Sequence, residues 1–143
     1  MSIITAELTE GYAVQLRSSS GHAWRADEPE DVGGTDTGPN PYELLLGALA
    51  ACTTITLSMY AQRKGWPLER VEVRYVHDRV HVEDCEDCEE RHRGYVDRVV
   101  NEVTIHGDLD EAQRERLARV AASCPVHKTL EHGVHIVDEV SFA

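Results

Sequence analysis

The stretch NPYELLLGALAACTTITLSMYAQRKG (residues 40–65) decides the fold, because it joins a helix start, a long uncharged run and a helix stop. Asn40 is a favourable N-cap residue, and Pro41 suits the first helical position. Glu43 at the third position completes a capping-box pattern. Gly65 directly follows two basic residues and marks the end of the helix. These signals predict one helix of 24 residues. Its length would be about 36 Å.

The middle of this helix is apolar on every side. Residues 44–61 are 18 positions without a charge, which is the length typical of a membrane-spanning helix. The run also contains Gly47, three threonines and Ser58, and strand-like sequence precedes it. A helix buried inside protein therefore explains it better than a membrane span. In a small domain the cover is expected to include a second subunit, so we expect a homodimer and no membrane partner.

The rest of the sequence combines strand and helix signals, which predicts an α+β fold. At 143 residues the chain fits one domain, residues 1–143. Strands are predicted at 2–8, 12–17, 22–26, 71–82, 99–105 and 134–140. The apolar phase changes between Tyr75 and Val76, which predicts a bulge or bend there.

Two shorter helices and two irregular segments complete the predicted organisation. Asp108 with Glu111 is expected to cap a second helix, and a short helix is expected at 125–131. Residues 27–40 hold three glycines, two prolines and five acidic residues, so they form a loop and a candidate active-site rim. Residues 83–93 form a charged hairpin or excursion.

Charge and cysteine content narrow the possible functions. A net charge of −12 disfavours nucleic acid and anionic membranes as partners, because both attract clustered lysine and arginine. Residues 1–10 lack a basic segment followed by an apolar one, so we expect a cytoplasmic protein. In that compartment, four cysteines favour thiols, metal ligands or transient disulfides over structural disulfides.

Two cysteines occupy helix-related positions. Cys124 immediately precedes Pro125 at a helix start, where unpaired N–H groups and the helix dipole favour a thiolate. His127 and Lys128 add positive or polarisable groups nearby. Cys52 lies in the middle of the long helix, where burial raises a thiol pKa unless a charged partner is near. Each cysteine alone is also compatible with core packing, because free cysteine behaves as a small hydrophobe.

Three motifs carry a family resemblance that spans nearly the whole chain. They are GGTDTGPNPYELLL (residues 33–46), AACT (50–53) and CPVHKTL (124–130). Together they resemble the OsmC/Ohr family, the osmotically inducible protein C-like, peroxide-reducing thiol proteins. The resemblance implies an α+β fold with antiparallel sheets around a long central helix. It also implies an intertwined homodimer with two active sites at the dimer interface.

The resemblance further implies a thiol-dependent hydroperoxide reductase of the peroxiredoxin type. The Cys52 thiolate would attack the outer oxygen of a hydroperoxide and become a sulfenic acid. Cys124 would then condense with that sulfenic acid to a disulfide, and an external dithiol would restore both thiols. This cycle requires no cofactor.

The residues that would activate Cys52 depart from the family pattern. Family hydroperoxide reductases use an arginine from the N-terminal meander and a glutamate at the start of the central helix. Here the corresponding turn reads SSSGH (residues 18–22), so only the neighbouring Arg17 and Arg25 are candidates. The position of the family glutamate corresponds either to Glu43 or to Tyr42. Glu43 either caps its own helix or serves a site across the dimer.

A second cysteine pair lies in an acidic segment. His81, Cys85, Cys88 and His92 have the spacing HxxxCxxCxxxH, and a tetrahedral zinc site could use all four. Six surrounding carboxylates would attract a cation and disfavour an unpaired thiolate. The alternatives are a second redox pair that forms a reversible disulfide, or idle thiols on a charged hairpin.

Two other functions fit the sequence. The first is a non-catalytic dimer that binds a small apolar ligand or a metal ion, with the cysteines as ligands or packing residues. The second is acyl transfer by a Cys124 and His127 pair. That pair alone supplies neither an oxyanion hole nor a third orienting group.

Overall fold

A computed structural model describes residues 1–8, 10–86 and 94–142 of the chain. The chain divides into two compact units, Met1–Gly47 and Ala48–Ala143. The strands are β1 (Ile4–Leu8), β2 (Val14–Ser18), β3 (Ala23–Ala26), β4 (Leu68–His81) and β5 (Tyr95–Gly107). The helices are α1 (Pro41–Lys64), α2 (Glu111–Ala121) and α3 (Pro125–His132), with short 3-10 turns at Glu30–Val32 and Val82–Asp84. Antiparallel sheets combined with helices confirm the predicted α+β class.

The first unit contains the predicted three-stranded meander. β2 pairs antiparallel with β1 on one side and with β3 on the other. The turn between β2 and β3 closes through a bond from the Ser18 N–H to the His22 carbonyl, at 2.8 Å. Gly21 in that turn has φ +93°, a left-handed conformation that glycine adopts without steric cost.

The loop that follows β3 is organised around one carboxylate. Asp27 is only 2% exposed. Its Oδ2 accepts bonds from the hydroxyls of Thr35 and Thr37 at 2.6 and 2.8 Å, and from both backbone N–H groups at 3.2 Å. Its Oδ1 accepts from the Glu28 N–H at 2.8 Å. A Cβ at Gly34 would collide with the Glu28 carbonyl, so the loop packs tightly against itself.

Helix α1 begins and ends where the sequence predicts. The Asn40 side chain accepts from the Glu43 N–H at 2.9 Å, and the Glu43 side chain accepts from the Asn40 N–H at 2.8 Å. These reciprocal bonds form the predicted capping box. By length and composition alone α1 could span a membrane, and 22% of its apolar window is buried within this chain. Core helices of other proteins pass the same test.

The second unit packs α1 and α2 around one aliphatic core. One stripe of α1 is buried, at Leu49, Thr53, Leu57 and Ala61, which are four residues apart and therefore share a helix face. The core cluster joins this stripe to α2; its members are Leu57, Leu109, Leu117, Val120 and Ala121. β4 and β5 form an antiparallel pair whose apolar residues Val71, Val103 and Ile105 pack against the cluster.

Three local predictions were wrong. The N-cap of α2 is Asp110 with Gln113 at N3, two residues after the predicted Asp108 and Glu111, because this pair satisfies the free N–H groups reciprocally. β4 has no bulge at Tyr75; its one register shift lies between Leu68 and Arg70. Residues 134–140 form no strand and are exposed in this chain.

We expect Asp27→Asn to lower the melting temperature by roughly 5 °C or more, because the buried carboxylate accepts five hydrogen bonds. Hydrogen bonds from Thr35 and Thr37 hold the pKa of Asp27 far below its usual range. The stabilisation is therefore complete above about pH 5 and is lost as the pH falls below about 4. Thermal unfolding at several pH values tests this. The exposed Asp31→Asn is the matched control, and equal melting temperatures for both variants would contradict the prediction.

Candidate functional site

Tertiary structure brings Cys52 and Cys124 together. Cys52 lies in the middle of α1 and is partly exposed, whereas Cys124 is fully buried at 0% exposure. Both are free thiols, and Cys52 lies close enough to Cys124 to lower its pKa. Two neighbouring thiols, one partly exposed and one enclosed, form the centre of the candidate site.

Cys124 is the N-cap residue of α3, as its position before Pro125 predicts. Its backbone is extended, with φ −65° and ψ 149°, and Pro125 occupies the first turn. The His127 N–H donates to Cys124 Sγ at 3.4 Å. The sulfur thus takes the place of the side-chain oxygen that usually caps a helix, and it faces the positive end of the helix dipole.

A chain of polar side chains leads from Cys124 to β5. The Thr53 hydroxyl, fully buried, lies 3.5 Å from Cys124 Sγ and 2.8 Å from the Tyr75 hydroxyl. The Asn101 Nδ2 donates to the same Tyr75 hydroxyl at 3.0 Å. No sequence motif pointed to a role for these three residues. The one available signal was the phase change at Tyr75, where residues 75–78 of β4 are consecutively half-buried.

The net effect of these neighbours is to favour the thiolate of Cys124. Burial by itself raises the pKa of Cys124. Its polar neighbours outweigh burial, so the pKa lies below its ordinary value; these neighbours are Thr53, the His127 N–H, Cys52 and the Val126 N–H. For Tyr75, burial outweighs the bond to Thr53 and raises the pKa, which keeps the phenol protonated. Tyr75 is therefore available as a hydrogen-bond donor at neutral pH.

A cavity of about 270 Å³ adjoins these residues. Its polar side is formed by Tyr75, Asn101 and His127. The Asp97 carboxylate, which lies 2.9 Å from the His77 ring, also lines the cavity. The remaining lining residues are Leu49, Val99, Leu130 and Glu131. The space therefore offers apolar walls beside a polar end, which is the usual composition of a small-molecule site.

The predicted supporting residues lie in the first unit. Arg17 on β2 and Arg25 on β3 are exposed. They share one face of the sheet, because Arg25 pairs with Gln15, two residues before Arg17. Glu43 caps α1 through its bond with Asn40. Their roles at the cysteines stay predictions.

The second cysteine pair falls partly outside the described residues. Cys88 and His92 lie in the segment that the structure does not describe, and His81 ends β4. Cys85 is disulfide-bonded. A disulfide sulfur is not a thiolate, so zinc at this pair would first require reduction. Among residues 1–8, 10–86 and 94–142, no group of three or more potential metal ligands is found.

Comparisons with known proteins identify the relatives of this chain. The family model for OsmC-like proteins matches residues 34–137. No curated protein sequence matches significantly. An OsmC-like protein of Mycoplasma pneumoniae is 23% identical over 92% of this chain and 87% of that chain, with a TM-score of 0.69.

Two further solved structures bear names that concern peroxides. An organic hydroperoxide resistance protein, OsmC, of Legionella pneumophila is 22% identical, covers 90% of this chain and 87% of its own, and has a TM-score of 0.63. The organic hydroperoxide resistance protein OhrB of Bacillus subtilis is 24% identical to this chain. The match covers 90% of this chain and 88% of that chain, with a TM-score of 0.57. At these identities the likeness establishes the fold.

We expect mild oxidation to join Cys52 and Cys124 in an intrachain disulfide, because Thr53, the residue next to Cys52, lies 3.5 Å from Cys124 Sγ and so brings the two thiols near each other. Thiol titration of the denatured protein should fall by two groups per chain, and peptide mapping under non-reducing conditions should link α1 to α3. Cys124→Ser is the control and should yield no such peptide. Recovery of only intermolecular disulfides from the unmodified chain would show that the sulfurs do not meet.

Proposed function

The chain belongs to the OsmC-like protein family, and we propose that it reduces organic hydroperoxides with its own thiols. The observation that carries the proposal is the proximity of Cys52 and Cys124, because a two-cysteine cycle requires sulfurs that can form a disulfide. The organic hydroperoxide resistance proteins of Legionella pneumophila and Bacillus subtilis share the fold. Family and geometry together support a peroxide-related redox role.

The different exposure of the two cysteines supports different tasks for them. Cys52 is partly exposed, so a hydroperoxide can reach its sulfur, whereas Cys124 has no exposed surface. Cys52 therefore attacks the outer oxygen of the hydroperoxide and becomes a sulfenic acid. Cys124 then attacks the oxidised sulfur and forms the disulfide. An external dithiol, in a reducing cytoplasm, returns both residues to thiols.

The adjoining cavity suggests which hydroperoxides enter. Its walls include Leu49, Val99 and Leu130, which favour an apolar substituent on the peroxide. Asp97 and Glu131 also line it. Because two carboxylates disfavour a nearby anion, neutral alkyl or aryl hydroperoxides are the expected substrates, ahead of those that carry a carboxylate.

A homodimer would cover the apolar surface that this chain leaves exposed. On α1, Ile55 is 57% exposed and Met59 is 65% exposed. The segment after α3 adds further exposed apolar side chains at Val134, Ile136, Val137, Val140 and Phe142. Large exposed apolar surface of this kind marks association sites. If two chains paired through α1 and this segment, the exposed apolar side chains of the helix and of the segment would become buried.

We expect Cys52→Ser to abolish turnover of an organic hydroperoxide with a dithiol reductant, because Cys52 supplies the attacking sulfur. Cys124→Ser should also stop turnover but should still allow one oxidation per chain, detected as a sulfenic acid at Cys52. Peroxide consumption and mass spectrometry of the intact chain measure the two effects. Sustained turnover by the Cys52→Ser variant at the unmodified rate would exclude the proposed cycle.

We expect the protein to sediment at twice its 16.0 kDa chain mass. Ile55→Glu should shift it towards the monomer, because a charge placed in an apolar interface is desolvated without a partner. Ala118→Glu, at an exposed position of α2, is the matched control and should leave the mass unchanged. Sedimentation of the unmodified protein as a single chain at micromolar concentration would contradict the dimer.

A further inference from the structure

The hydrogen bonds around Thr53 have a defined direction. A threonine hydroxyl has one proton, and Thr53 Oγ1 contacts both Cys124 Sγ and the Tyr75 hydroxyl. The Asn101 Nδ2 can only donate, so the Tyr75 oxygen accepts from it. Tyr75 can then give its own proton to Thr53, and Thr53 gives its proton to Cys124. Each hydrogen bond in the series from Asn101 through Tyr75 and Thr53 therefore points its hydrogen towards the sulfur of Cys124.

Cys124 receives donors from two elements at once. Thr53 donates from α1, and the His127 N–H donates from α3. A neutral thiol is a weak acceptor, whereas a thiolate gains from each of these donors. We propose that Thr53, Tyr75 and Asn101 hold Cys124 as a thiolate, and that this thiolate accepts the proton of Cys52 when Cys52 attacks a hydroperoxide. The proposal rests on the function proposed above and makes Cys124 a base as well as the resolving cysteine.

The charges around Cys124 explain why such donors are needed. The titratable groups that face it from the packed elements are Cys52 on α1, Tyr75 on β4 and His127 on α3. Asp97 and Glu131 line the adjoining cavity, with His77 bonded to Asp97. The carboxylates oppose a nearby anion, and the whole chain carries a charge of −12. Directed hydrogen bonds supply local stabilisation that the overall charge does not.

The proposed step balances in atoms and electrons. A lone pair of Cys52 sulfur forms a bond to the outer peroxide oxygen, and the O–O bond breaks to release an alkoxide. The Cys52 proton moves to Cys124, which passes it to the alkoxide and becomes a thiolate again. That thiolate attacks the sulfur of the Cys52 sulfenic acid, forms the S–S bond and releases hydroxide. The two thiols lose two electrons, and the peroxide bond gains them.

The first test measures the thiolate of the reduced protein without any peroxide. Ultraviolet absorbance of the thiolate, followed from about pH 4 to pH 8, avoids the range in which tyrosines ionise. Thr53→Val removes the donor at nearly constant volume, and its thiolate midpoint should rise by about one pH unit. Tyr75→Phe should move the midpoint in the same direction by less. Thr53→Ser retains the hydroxyl and should restore the midpoint of the unmodified chain.

The matched control is Thr54→Val. Thr54 is the next residue of α1, and its hydroxyl donates to the Ala50 and Ala51 carbonyls, away from Cys124. Its thiolate midpoint should equal that of the unmodified chain. If Thr53→Val titrates like the Thr54→Val control, the donor chain does not hold the thiolate and the proposal is overturned.

The second test separates a base from a purely resolving cysteine. The test is a single-turnover reaction with an alkyl hydroperoxide. The Cys124→Ser variant should form the Cys52 sulfenic acid at least about 100-fold more slowly than the unmodified chain forms its disulfide. The reason is that serine cannot act as the base. Thr53→Val should slow the first oxidation roughly tenfold at pH values below the thiolate midpoint, with less effect above it. An unchanged first-oxidation rate in Cys124→Ser would overturn the base role.

Failure of this proposal is distinguishable from failure of the proposed function. Peroxide turnover that persists in Cys52→Ser contradicts the function, whatever the thiolate titration shows. Turnover that requires Cys52, together with a thiolate midpoint unaffected by Thr53→Val, contradicts the donor chain alone.

Discussion

The buried hydroxyl of Thr53 is the contact on which the arrangement of the site depends. Thr53 belongs to the buried stripe of α1, and its Oγ1 reaches both the Tyr75 hydroxyl of β4 and Cys124 at the start of α3. A buried hydroxyl must find partners, because its desolvation would otherwise cost about 1–3 kcal/mol. Satisfying this one group fixes the helix, the sheet and the second cysteine against each other.

The two cysteines differ in their exposure and in the hydrogen-bond donors that surround them. Cys52 can be reached from solvent but receives no helix N-terminus, because it lies in the middle of α1. Cys124 is enclosed yet surrounded by donors. In the proposed cycle, this difference would combine an accessible nucleophile with a buried acceptor for its proton.

Predictions from the sequence succeeded where the signal and its effect were close together in the chain. The capping box of Asn40 and Glu43 and the helix start at Cys124 each involve residues three apart, so their hydrogen bonds follow from local geometry. Predictions from the sequence failed where residues distant in the sequence decide the local structure. The phase change at Tyr75 arises from partial burial of both faces of β4, and residues 134–140 have strand-like side chains but no pairing partner among the described residues.

The sequence by itself determined the long helix, the α+β class, the acidic character and the two cysteine motifs, because composition and short-range capping patterns suffice for these. Only the tertiary structure decided what surrounds the sulfurs. Thr53, Tyr75, Asn101 and Cys124 come from four different elements, and no local pattern links residues that far apart. Their hydrogen bonds exist because core packing of α1 brings a single buried hydroxyl between a strand and a helix start.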